Sequence, residues 1–204
     1  MDAKKGMLIV LSGPSGVGKN SVLNRIINAR QNLRLSISCT TRKPREGEVN
    51  GKDYYFLTEE EFMDAVSKGE MLEYAKYCDC YYGTPKMNVE KELELGNNVI
   101  LEIEVQGGEQ IINRYPNVLS IFIIPPSMDT LSSRLRNRGL DSIDIVKKRI
   151  GESRREIKFA EHYKYIVVNK YVDECASNIL KIIDAESMKL ERMRYKIEEV
   201  LSNA

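Results

Sequence analysis

Along this chain, short unbroken apolar runs alternate with longer stretches in which apolar residues return every three or four positions. The runs are Met7 to Leu11, Val99 to Val105, Ser120 to Ile124 and Tyr165 to Val168. Because they are apolar at successive positions, they predict strands buried on both faces, as in a parallel sheet with helices on each side. The stretches between them carry helix punctuation. Ser127 can cap a helix that stops near Gly139, and Pro85 can open one that ends near Gly96. The expectation is an α/β fold with a three-layer core around a mostly parallel sheet.

Residues 35–84 break this alternation. They hold an Arg-rich loop, the run Asp53-Tyr54-Tyr55-Phe56 and a Tyr-rich segment ending Tyr81-Tyr82-Gly83. We read them as a subdomain inserted between core segments 1–34 and 85–125. Within it, Thr58-Glu59-Glu60-Glu61 has capping-box spacing ahead of Phe62, Ala65 and Val66, which predicts a short helix. A second, helical insert is expected over 126–155, and the core resumes over 156–204. The tail from Val172 to Leu201 reads as one long amphipathic helix, with Ile179, Ile182, Ile183, Leu190, Met193, Ile197 and Leu201 near helical spacing. Its stripe is expected to pack on the core; an oligomer contact is the other use of such a stripe.

With 204 residues, 42% of them hydrophobic, the chain can bury one substantial core carrying small inserts. Its 31 Lys and Arg nearly cancel its 30 Asp and Glu, so no overall field holds it to nucleic acid or to an anionic membrane, and neither is expected as a partner. Any anion has to be gripped locally. No apolar run reaches the roughly 18 residues of a membrane span. The apolar stretch after Gly6 is too short for a signal peptide, so the chain reads as cytosolic. Cys39, Cys78, Cys80 and Cys175 lack the C-x-x-C spacing of a zinc site, and the single histidine, His162, has no partner cluster; none is assigned chemistry.

One local grip is plain. Gly13-Pro14-Ser15-Gly16-Val17-Gly18-Lys19 lies directly after the first apolar run and directly before a helical stretch from Asn20 to Ala29. Glycines let the backbone curl so that several N–H groups point inward, the helix N-terminus adds positive potential, and Lys19 supplies a movable charge. Such a loop binds a nucleoside triphosphate. The slot after Lys19, usually Ser or Thr for magnesium, is Asn20, with a hydroxyl displaced to Ser21. No side chain is therefore named as a direct ligand of Mg²⁺, an ion that commonly keeps several waters and few protein ligands.

A second grip involves Ser36-Ile37-Ser38-Cys39-Thr40-Thr41-Arg42-Lys43-Pro44-Arg45-Glu46-Gly47-Glu48, followed by Gly51-Lys52-Asp53-Tyr54-Tyr55-Phe56. Arg42 and Arg45, three apart around a proline, suit a forked hold on a second phosphate, to which Tyr54 and Tyr82 could add hydroxyls; a solvated basic turn has the same spacing. Together with Tyr81-Tyr82-Gly83-Thr84 and Glu102-Ile103-Glu104-Val105-Gln106-Gly107, the chain from about Met7 to Asn169 resembles the guanylate kinases.

That resemblance implies transfer of the γ-phosphoryl group of ATP to GMP, with Mg²⁺, by a phosphate-loop core bearing a GMP-binding subdomain (35–84) and a helical lid (126–155). It places Ser38, Arg42, Arg45, Tyr54, Glu73, Tyr82, Thr84 and Glu104 in the GMP site. Guanine offers two adjacent donors and an acceptor at O6, a pattern that the Glu73 carboxylate and the hydroxyls of Ser38 and Thr84 complement. Strand alternation from Val99 puts Glu102 and Glu104 on one face, and the resemblance implies Glu104 toward GMP and Glu102 as an outer-sphere magnesium contact; a pair of structural salt bridges is the alternative. In the lid, Arg138 and Arg149, with Arg134 third, supply charge to the moving phosphoryl group. Gly13 to Ser21, Arg134 and Asn169 are expected on the ATP side, although Lys170 departs from the family's usual Asn-Asp pair. Two rivals share parts of the pattern: a scaffold relative that binds peptides in the same cleft, and a phosphate-loop kinase with another acceptor.

Overall fold

The computed structural model describes residues 5–77, 79–137 and 143–202. The first apolar run forms strand β1 (Leu8–Ser12), and the glycine loop turns the chain into helix α1 (Lys19–Ala29) and back through β2 (Leu33–Leu35). The insert follows as β3 (Cys39–Thr40), β4 (Tyr55–Phe56), α2 (Glu59–Ser67), β5 (Met71–Tyr77) and β6 (Cys80–Pro85). The chain then runs through α3 (Lys86–Glu94), β7 (Asn98–Glu102), α4 (Val105–Arg114) and β8 (Leu119–Ile124). Helices α5 (Met128–Asn137) and α6 (Ile143–Lys158), a 3-10 turn (Phe159–His162), β9 (Tyr165–Val168), α7 (Val172–Ser187) and α8 (Leu190–Ser202) complete it.

Strands β2-β7-β1-β8-β9 form one five-stranded sheet, parallel at every pairing. On one face, α1 and α7 bury Val22, Leu23, Ile26, Cys175, Ile179 and Ile183 against Ile9, Leu11 and Ile121. On the other, α3 and α4 bury Val89, Leu93 and Ile111 against Val10, Leu101 and Phe122. Both faces are dry, which is why these strands are apolar at successive positions. The insert forms its own four-stranded sheet, β4-β3-β6-β5, packed on α2 through Phe62, Cys39 and Met71. It docks on the core through α4, where Gln110 donates to the Tyr74 carbonyl at 2.8 Å.

Among the described residues the helix punctuation is used as expected, while the stop expected near Gly139 lies outside them. Thr58 and Glu61 form a reciprocal capping box, and the Ser127 hydroxyl accepts from the Thr130 amide at 3.1 Å. Two expectations need correction. The run from Val99 leaves the sheet at Glu102, and Glu104 is the N-cap residue of α4, so strand alternation does not place the two glutamates. The tail is two helices. α7 packs as predicted, whereas α8 has no buried residue, and Leu190, Ile197 and Leu201 are exposed. The break lacks glycine or proline. It coincides with Glu186, only 5% exposed, which accepts from the Tyr165 hydroxyl at 2.6 Å and pairs with Lys189 at 2.7 Å, tying the end of α7 to β9.

Candidate active site

The loop after β1 turns on glycines with left-handed backbone, Gly16 at φ 84° and Gly18 at φ 96°, a region that side chains disfavour. Val17 anchors it from below with no exposure. Its carbonyl accepts from the Asn169 amide at 2.7 Å and from the Arg134 guanidinium at 3.1 Å, and Arg134 also donates to the Asn169 carbonyl at 3.0 Å. Thus Arg134 and Asn169, both expected on the ATP side, brace the loop from behind. Asn169 is 1% exposed, so its side chain is turned into the protein. Asn20 and Ser21 stand exposed at the head of α1.

Lys19 arches back over the loop. Its ammonium donates to the Gly13 carbonyl at 2.7 Å and lies 3.6 Å from the Glu102 carboxylate. The Ser15 amide donates to Glu156 of α6 at 3.3 Å, so a carboxylate of this chain touches the anion-binding loop. Solvent reaches Glu104, yet the protein crowding around it raises its carboxyl. Lys19 opposes that rise, and Glu156, Glu102 and Glu152 add to it.

Beside Lys19 opens a cleft of about 190 Å³, lined by Ser38, Tyr54, Glu73, Tyr82, Glu102 and Glu104 together with Gly83, Ile103 and Gly107. Strands β5 and β6 supply one wall, with Ser38 and Tyr54 from just before β3 and β4, and the β7–α4 junction supplies the other. Glu73 is 5% exposed, and burial pushes its carboxyl up to about 7 against the opposing hydrogen bond from Thr84. The Thr84 hydroxyl, expected at the guanine O6, donates here to Glu73 at 2.6 Å. The approach of α4 is close enough that a Cβ on Gly107 would run into the Glu73 carboxylate.

At the cleft's mouth the Arg42 guanidinium lies 5.4 Å from the Tyr54 ring centre and 5.8 Å from that of Phe56, and bonds the Tyr82 hydroxyl. Glu48 grips it with both oxygens, at 2.8 and 2.9 Å, and also accepts from the Arg45 amide at 2.7 Å. These bonds, the Arg42 bond first, hold the Glu48 carboxyl below its ordinary range. The Arg45 side chain itself is exposed. Of the lid arginines, Arg149 is half-buried on α6, and Arg138 lies outside the described residues. Sequence reasoning passed over Glu48, Gly107 and Glu156. For the first two the signal was their place inside the quoted motifs, whereas Glu156 is one of many helical glutamates. Cys39 and Cys175 are buried, and their thiols are pushed up to about 11, which keeps them protonated.

A parallel sheet with a glycine loop between β1 and α1, and beside the loop's lysine a tyrosine- and glutamate-lined cleft with Arg42 at its mouth, fits the class of phosphate-loop kinases of small phosphorylated acceptors. The guanylate kinase family model matches residues 5–186. The guanylate kinase of Lactobacillus acidophilus is 46% identical over 202 residues, covering 97% of this chain and 99% of the relative. That of Desulfitobacterium hafniense is 40% identical over 200 residues, covering 98% and 100%. The crystal structure of guanylate kinase from Anaplasma phagocytophilum superposes with a TM-score of 0.75 at 34% identity, over 95% of this chain and 96% of that one. The chain belongs to the guanylate kinase family.

Proposed function

We infer that this protein transfers the γ-phosphoryl group of ATP to the phosphate of GMP, releasing ADP and GDP, and so serves purine nucleotide metabolism and GMP recycling in the cytoplasm. The carrying observation is the buried Glu73 carboxylate in a cleft that Arg42, Tyr54 and Tyr82 close at its mouth and that adjoins Lys19. Residues 35–84 act as the GMP-binding subdomain and 126–155 as the lid. Glu73 accepts from guanine N1–H and the N2 amino group, and Ser38 and Thr84 complete base reading, Thr84 by turning its hydroxyl from Glu73 toward O6. Arg42, Arg45, Tyr54 and Tyr82 hold the GMP phosphate, and Glu104 closes the acceptor side.

The backbone N–H groups of the loop from Gly13 to Ser21, Pro14 excepted, cradle the ATP phosphates, and Lys19 swings from the Gly13 carbonyl to neutralise charge on them. Arg138 and Arg149 add charge at the transferring group, where little covalent work is needed and positioning dominates. The oxygen donors beside the loop, Glu102 and Glu104, suit a hard cation that keeps most of its waters, so Mg²⁺ fits here without a dedicated protein cage. When bound, Mg²⁺ offsets phosphate charge. A coupled assay with ATP and a panel of nucleoside monophosphates tests the reading. GMP should be the preferred acceptor, and phosphorylation of another monophosphate with no turnover of GMP would overturn it.

A further inference from the structure

The contact between Ser15 and Glu156 lies outside this account, because it puts a negative group where the loop is built to receive one. Glu156 comes from the last turn of α6, more than a hundred residues along the chain from the loop, and its Oε2 accepts the Ser15 amide at 3.3 Å. The site is crowded: burial raises the Glu156 carboxyl, while the Ser15 amide, then Lys19, favour its ionised form and Glu152 opposes it. Glu104, at the N-terminus of α4, faces the same group. The groups that offset this desolvated charge are therefore a loop amide and the loop lysine, the donors a nucleotide phosphate would use.

We propose that Glu156 is an internal stand-in for a nucleotide phosphate, an anion that holds the Ser15 side of the loop in the free protein and that an incoming polyphosphate must displace. This rests on the reading that ATP binds at the glycine loop. One amide and one ammonium cannot serve both the carboxylate and a phosphate, and two anions side by side in a poorly solvated cleft repel. Displacement frees the Glu156 carboxylate to move back along α6 toward solvent. Glu156 thereby sets how tightly the free enzyme takes the phosphoryl donor and, to a smaller extent, ADP. The penalty grows with the charge placed beside Ser15, so it should rank ATP above ADP and ADP above AMP.

The test is isothermal titration of the full-length protein and of Glu156→Gln with ATP, ADP and AMP, each without GMP. The glutamine keeps the size and removes the charge. Affinity for ATP should rise about five- to tenfold, that for ADP less, and that for AMP little, with GMP affinity unchanged. Equal or weaker ATP binding by the variant would overturn the proposal, and so would a gain of the same size for all three nucleotides, since that marks a structural change. Absence of ATP binding in the wild type would instead remove the reading on which it rests. Should Glu156→Gln fail to fold, Glu156→Asp, whose carboxylate stops one methylene short of the loop, should show the same ranking with smaller gains.

Discussion

Glu73 carries a cost that its neighbours only partly offset. Burial pushes its carboxyl from 4.5 up to about 7. Between those values the folded protein binds more protons than the unfolded chain, so stability falls as pH rises from about 4.5 to 7 and stays low above. The full cost is about 3 kcal/mol. Glu73→Gln should therefore melt above wild type at pH 8, with the difference vanishing near pH 4, as ligand-free melting curves across that range would reveal. The same change should lower kcat/KM for GMP while the poor AMP activity falls less, because one amide oxygen cannot serve two guanine donors and adenine has no N1 hydrogen. An unchanged GMP to AMP ratio would remove Glu73 from base reading. Polar pockets of this kind can discriminate by roughly 10⁴-fold. Lys19, whose ammonium spans the loop rather than the core, offers a contrast. Lys19→Ala should fold normally by circular dichroism and lose about 10²- to 10³-fold in kcat, since its charge counts mainly while phosphate charge is shifting.

At the scale of elements, the cleft is a junction of β5 with the first turns of α4. Gly107 makes the junction possible, because any side chain there meets the Glu73 carboxylate. Gly107→Ala should push α4 off β5, destabilise the protein by about 1–3 kcal/mol in urea and raise the KM for GMP. The motif around Glu102 to Gly107 was legible as a site, but its geometry was not. Sequence periodicity continued the strand to Val105, whereas the chain leaves the sheet at Glu102, where β1 and β7 end their pairing, and a helix starts at Val105. Local capping signals fared better. Thr58 and Glu61 satisfy each other within one turn, so their spacing was enough, and Thr58→Ala should cost about 1 kcal/mol, read from the shift in urea midpoint. The boundary between α7 and α8 had no such signal, because it depends on Tyr165 and Glu186, distant in sequence.

For the whole molecule, the two arginines proposed for one reaction sit on different parts of the fold, Arg42 in the insert and Arg149 on α6. Arg42 is held in place before any nucleotide arrives, by Glu48 and the rings of Tyr54 and Phe56. Arg149 belongs to α6, which also carries the Glu156 contact with the loop. A preset grip on a phosphate that keeps its charge contributes to binding in ground and transition states alike, so Arg42→Ala should raise the KM for GMP roughly tenfold to a hundredfold with kcat little changed. An arginine that serves the moving phosphoryl group should act mainly on kcat, and Arg149→Ala should lower it by a similar factor. Steady-state kinetics of the two variants separate these roles, and matching profiles would merge them.

The sequence by itself determined the alternation of buried strands with helices, the glycine loop and its lysine, and the capped helix of the insert. Each of these depends on residues near one another in the chain, where spacing is geometry. The tertiary structure alone decided that Glu104 begins a helix, that the tail breaks at Glu186, that Asn169 and Arg134 brace the loop from behind, and that Glu156 touches Ser15. These depend on which charged or polar group finds a partner when distant segments meet in a poorly solvated interior. No local pattern marks one glutamate among 30 acidic residues for that fate.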